Sequence, residues 1–237
     1  MPPNEVLVRF RGVTKDYRGL RPLRIAELDL HAGRSLALIG FDQVMAEVLV
    51  ELMTGAALPD SGEVAVFGEP TSAIAGPDQW LQTLDKFGIL TDRAVLVEQF
   101  TVEQNLAIPL SLAVDNMPAE LRAQVARLAA EVGLGNTDLS RQAGALSAVE
   151  RARIRLGRAL ALRPRVLVAE HPNATLTGED AAHFASDIAR IVEARGLASV
   201  VLTADHVFAK GAAKEVLVLE SSTGALRQTS AWRRLFS

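Results

Sequence analysis

The residues with most scope for chemistry lie together in Gly40-Phe41-Asp42-Gln43-Val44-Met45-Ala46-Glu47. An apolar run, Ser35-Leu36-Ala37-Leu38-Ile39, ends at the glycine, and Val48-Leu49-Val50-Glu51-Leu52-Met53 continues beyond as an apolar helical stretch. Strand, short loop and helix form the frame that cradles phosphate in the pattern G-x-x-x-x-G-K-[ST]. There backbone N–H groups hold the phosphates, the lysine neutralises them and the hydroxyl holds magnesium. Counted from Gly40, the last three positions read Met45, Ala46 and Glu47, so glycine, lysine and hydroxyl are all absent. Asp42 and Glu47 make the loop anionic instead. Two like unit charges about 4 Å apart repel by roughly 4 kcal/mol at an effective dielectric of about 20. The helix N-terminus still favours an anion, so weak binding stays open.

The elements that position this loop follow from hydrophobic periodicity. Val6-Leu7-Val8-Arg9-Phe10 alternates as a strand, and Ala26-Glu27-Leu28-Asp29-Leu30 alternates with Ala26, Leu28 and Leu30 expected on one face. After the central strand, a helix from about Val44 closes at Thr54-Gly55, with Gly55 as C-cap. Pro59-Asp60-Ser61-Gly62 makes a turn before a short strand ending at Gly68. Apolar strands return at Arg165–Ala169, Ser199–Thr203 and Glu215–Leu219, with helices expected over Ser147–Leu162 and Gly178–Ala194. Near-continuous apolar strands alternating with helices imply a parallel sheet covered on both faces. The expected fold is α/β, with its core at about 1–94 and 161–237 and a largely helical insertion at about 95–160. Ser147 with Glu150 fits a capping box, and Thr177 with acids after it offers a second helix start.

The totals narrow the class. A chain of 237 residues, 49% hydrophobic, has ample material for a buried core. A net charge of −3 argues against nucleic acid as a main partner. Without cysteine there is neither a disulfide nor a thiolate metal site. The N-terminus lacks a signal-peptide pattern, and no run of about 18 apolar residues occurs. A cytoplasmic protein that meets the membrane through a partner is expected.

Further phrases recur in a fixed order. Leu146-Ser147-Ala148-Val149-Glu150-Arg151 opens a helix, and the apolar strand after it ends in Ala169-Glu170-His171-Pro172. With Pro59-Asp60-Ser61-Gly62-Glu63-Val64 and Thr101-Val102-Glu103-Gln104-Asn105-Leu106, this order resembles the nucleotide-binding subunit of an ABC transporter over almost the whole chain. Ile108-Pro109-Leu110 makes it most similar to the lipoprotein-release and cell-division branch. The resemblance implies a P-loop NTPase-like nucleotide-binding domain with an antiparallel β part and a helical subdomain. It also implies ATP and Mg²⁺ as cofactors, an integral membrane permease as partner and a second ABC ATPase subunit, identical or different. Its nucleotide would lie along Gly40 to Glu47, Phe41 and Val44 included, with Tyr17 against the adenine.

Position by position, the implied chemistry is stripped. Ala46 stands for the phosphate-binding lysine and Glu47 for the magnesium-ligating hydroxyl. Gln43 and Met45 replace glycines that let backbone approach phosphate. Asp92 falls on the Q-loop glutamine, Ala204 on the switch histidine and Thr177 on the D-loop aspartate. Ser147 keeps the signature serine, crowded by Ala148 and Val149. Glu170 stands for the magnesium-side aspartate and could hold a metal. His171 stands for the catalytic glutamate and could act as a general base by residue type. Hydrolysis is not expected, and the cofactors are in doubt. The leading reading is a degenerate pseudo-ATPase subunit that docks on a permease through the helical insertion and the Asp92 segment. An ATPase working through an unusual pocket in a mixed dimer is a second reading, and a regulatory binding protein without a permease a third.

Overall fold

The computed structural model describes residues 5–135 and 137–228. The chain opens with β1 (Val6–Lys15), β2 (Leu23–His31) and β3 (Ser35–Ile39), then α1 (Gln43–Thr54). β4 (Ser61–Val66), β5 (Glu69–Pro70), α2 (Pro77–Leu84) and β6 (Phe87–Thr91) follow. Three helices come next: α3 (Val102–Ala107), α4 (Ala119–Glu131) and α5 (Ala148–Leu160). The chain then alternates through β7 (Val166–Glu170), α6 (Gly178–Arg195), β8 (Ala198–Leu202), α7 (His206–Ala212), β9 (Glu215–Glu220) and β10 (Ala225–Gln228).

Two sheets result. One runs β10-β9-β3-β8-β7-β6, all parallel except the edge pair β9–β10. The other runs β2-β1-β4-β5 and is antiparallel. The apolar runs of the parallel strands are explained by burial on both faces. Leu36, Leu38, Val166, Val168, Val200 and Leu202 pack with α1 and the antiparallel sheet. Ala37, Ile39, Leu167, Ala169 and Val201 turn the other way, into a second cluster built with α3 to α7.

Ala26 departs from the expected face. It is exposed, while Leu23, Ile25, Leu28 and Leu30 are buried. Gly12, between the register pairs Arg11–Glu27 and Val13–Ile25, has φ +56°. That left-handed residue switches the face of the ladder, so buried residues step from Phe10 to Val13 on β1 and from Ile25 to Leu28 on β2. Thr177 stands at the N-cap of α6, but its side chain makes no capping hydrogen bond.

The segment after β6 is pinned to the helices. Buried Asn105 accepts from the Val97 N–H at 3.0 Å and donates to the carbonyls of Val97 at 3.0 Å and Thr101 at 3.1 Å. From α5, Arg155 donates to the Ala94 carbonyl at 3.1 Å and Arg158 to the Val95 carbonyl at 2.9 Å. Gly88 on β6 passes so close to α5 that a Cβ would stand 2.3 Å from the Ala159 carbonyl oxygen.

Candidate functional site

The loop after β3 turns at Gly40, whose φ is +96° and where a Cβ would stand 3.2 Å from the Leu219 carbonyl oxygen. Asp42 then caps α1: its carboxylate accepts the Met45 N–H at 2.8 Å and its carbonyl accepts the Ala46 N–H at 2.9 Å. A carboxylate of the chain itself therefore takes the N–H group and the positive dipole end that would favour an outside anion. Ala46 is 0% exposed and belongs to the core between α1 and the sheets, with Phe41 beside it in the same cluster. Met45 packs against that cluster, whereas Val44 lies exposed. Among these loop positions no cation stands where the motif's lysine would.

The cation comes from elsewhere. Arg93, just beyond β6, pairs with Glu47 on α1 and donates from Nη2 to Glu170 Oε2 at 2.6 Å. Gln43 donates from Nε2 to the other oxygen, Oε1, at 2.9 Å. Both oxygens of Glu170, at the end of β7 and 0% exposed, are thus bound within the chain. Burial pushes the Glu170 carboxyl above the ordinary range, and Arg93 counters part of that shift. Burial also works against the Arg93 charge, but Glu170 and Glu47 outweigh it and hold the guanidinium above its ordinary value. The sequence pattern does not single out Arg93. Two acids placed to face one another across a loop call for a counter-charge, and the segment following β6 is where the topology can supply it.

Of the remaining candidates, Tyr17 lies near the loop. Its hydroxyl is raised by burial and then by the charge of Asp42, and its ring lies close against Gly19. Asp92 is not part of the Arg93 network: its Oδ1 is buried with no hydrogen-bond partner among the described residues. His171 follows Glu170 with φ +42°, unusual for a residue with a side chain, and donates its N–H to the Leu202 carbonyl at 2.9 Å. Its buried Nε2 also has no partner among the described residues. Ala204 is exposed between β8 and α7. Asp205 behind it caps α7, accepting from Val207 at 2.8 Å and Phe208 at 3.1 Å, and the exposed His206 is the first residue of that helix. Ser147 keeps to its own helix: its hydroxyl exchanges hydrogen bonds with Glu150 in a capping box. Among the described residues no group of three or more His, Asp or Glu is placed to hold a metal ion.

This arrangement bridges two carboxylates with one guanidinium, and it fixes the end of β6, the start of α1 and the end of β7 against each other. The order of elements is matched in known proteins. The family described as ABC transporter matches residues 23–174. The methionine import ATP-binding protein MetN of Bradyrhizobium diazoefficiens is 28% identical over 91% of this chain, which spans 63% of that relative's length. The lipoprotein-releasing system ATP-binding protein LolD of Alcanivorax borkumensis is 30% identical over 80% of this chain and 82% of its own. Among solved structures, cbiO1 of Clostridium perfringens, part of the ABC transporter complex cbiONQ, superposes with a TM-score of 0.81 at 17% identity. That match covers 98% of this chain and 92% of cbiO1. The two sheets and the helical elements are those of an ABC cassette, and the chain belongs to the ABC transporter family.

Proposed function

We propose that this chain is a degenerate ATP-binding cassette subunit, a pseudo-ATPase that keeps the fold and surfaces of a transport complex without its hydrolysis. The observation that carries this reading is the clamp of Arg93 on Glu47 and Glu170. The residues present do not fit magnesium triphosphate. The Asp42 carboxylate would meet the phosphates, Ala46 contributes only a buried methyl, and a metal at Glu170 would compete with the hydrogen bonds from Arg93 and Gln43. His171 takes no catalytic role in this reading.

The subunit works at the cytoplasmic face of a membrane, docked on an integral permease and paired with a second cassette subunit, identical or competent. A groove of about 320 Å³, lined by Leu84, Phe87, Ala94, Pro109, Arg158 and Leu162 among others, supports the docking. Val95 and Leu112, 76% and 93% exposed, supply apolar surface in the same segment. Among the described residues no helix is long and apolar enough to cross a membrane. Calorimetric titration of the purified protein with magnesium ATP tests the proposal. No saturable heat at micromolar nucleotide is expected, and micromolar binding without a partner would sink it.

A further inference from the structure

A second charged site lies on another part of the molecule. A cavity of about 220 Å³ opens where α4, the turn after α5 and the last turn of α6 meet. Arg195 of α6 is held there by Glu131 of α4, with Nε at 2.6 Å from one carboxylate oxygen and Nη2 at 2.5 Å from the other. Its third nitrogen, Nη1, donates to the Leu160 carbonyl at 2.9 Å. Gln124 and Arg127, earlier on α4, and Arg163, in the turn after α5, complete the polar lining. The side chains of Gln124, Arg127 and Arg163 have no hydrogen bond or ion pair among the described residues. Three guanidinium groups against one carboxylate leave the cavity at a formal +2 in a chain whose net charge is −3.

We propose that this cavity binds a compact dianionic oxyanion, phosphate-like in size and charge, between Arg127 and Arg163. The fork of a guanidinium matches a phosphate or a carboxylate pair, and the held Arg195 adds positive field from the wall. The volume suits a single anionic group with a small organic tail and falls below the range of about 300–1,000 Å³ usual for drug-sized ligands. The bound anion ties α4 to the turn after α5, reinforcing a joint that already rests on Arg195 with Glu131. This site shares no residue with the Arg93 network and does not depend on the pseudo-ATPase reading.

The test is calorimetric titration of the full chain at constant ionic strength, with inorganic phosphate and with malonate as separate arms. Saturable binding of one anion per chain is expected in at least one arm, and the arm that responds distinguishes a phosphate from a dicarboxylate source. The double variant Arg127→Gln/Arg163→Gln, both positions exposed, is expected to bind at least about tenfold more weakly. Its unchanged melting temperature without ligand would show that the fold is kept. Arg18→Gln, remote from the cavity, is expected to bind as the parent does. No saturable heat in either arm overturns the proposal. Binding that survives the double variant does so as well, because the anion would then sit elsewhere.

Discussion

Arg93 carries the charge that holds the site together, and its removal has consequences in both stability and pH dependence. Arg93→Ala leaves the fully buried Glu170 without its cation. Breaking a buried pair costs about 3–5 kcal/mol; because Arg93 is 43% exposed, solvent lowers the expected loss to about 2 kcal/mol in chemical denaturation. Adding Glu170→Gln is expected to recover much of that loss. The sign with pH follows from the Glu170 carboxyl, which burial raises above its ordinary value of 4.5. A raised carboxyl contributes most to stability below that value, and the contribution is lost as pH rises through the raised one. Without Arg93 the carboxyl rises further, so the gap between Arg93→Ala and Arg93→Ala/Glu170→Gln should widen as pH rises above the ordinary carboxylate range. A gap that stays flat with pH would refute this electrostatic account. Nucleotide affinity calls for a different set of changes. Ala46→Lys alone should gain no ATP binding in calorimetry, since the Asp42 cap and the Arg93 clamp remain. Asp42→Gly, Ala46→Lys, Glu47→Ser and Arg93→Gln together remove both obstacles and restore lysine and hydroxyl, and measurable magnesium ATP binding is expected from that combination.

The elements owe their placement to a few residues that act well beyond their own turn. Asn105 binds four backbone groups of residues 97–101 and lies at 0% exposure. Asn105→Ala would leave the Val97 N–H and its carbonyl neighbours unpaired, and a loss of about 2–3 kcal/mol in denaturant unfolding is expected. Gly88→Ala should be as damaging, because the atom 2.3 Å from its Cβ position is a backbone carbonyl of α5 and cannot rotate away. A melting temperature unchanged by Gly88→Ala would refute that reading. These contacts also mark what a sequence can disclose. The frame of β3, loop and α1 was legible because strand, glycine turn and helix are written in consecutive residues. So were the Ser147 capping box and the Gly55 C-cap, which depend on spacings of a few residues. The face switch at Gly12 and Ala26 was not, since it arises only when two strands pair. Arg93 was hidden for the same reason: its partner Glu170 lies 77 residues away, and only the β6–β7 pairing brings the two together. α7 escaped notice because the short stretch after β8 carries its helix signal in a single cap, Asp205.

At the scale of the molecule, the clamp and the apolar groove meet in one stretch of chain. Arg93 enters the buried network, and the next two residues turn outward, their carbonyls held by Arg155 and Arg158 of α5. Val95 is thereby presented at the surface beside a groove floored by β6 and α5. In the proposed complex this surface bears on the permease, and the hydrogen bonds from Arg155 and Arg158 hold its shape. Two measurements on the complex follow. Val95→Asp with Leu112→Asp should release the subunit from native membranes in a co-sedimentation assay. Both side chains are exposed, so stability of the isolated chain should change by less than about 0.5 kcal/mol. Recovery of the parent subunit with the membranes should be the same with magnesium ATP, with ADP or after chelation of divalent cations, since no element of the docking face depends on a bound nucleotide. If the double variant stays with the membranes, docking lies on another face. If recovery of the parent shifts with nucleotide while the isolated chain binds none, the shift belongs to the paired cassette subunit, and loading that partner alone should reproduce it.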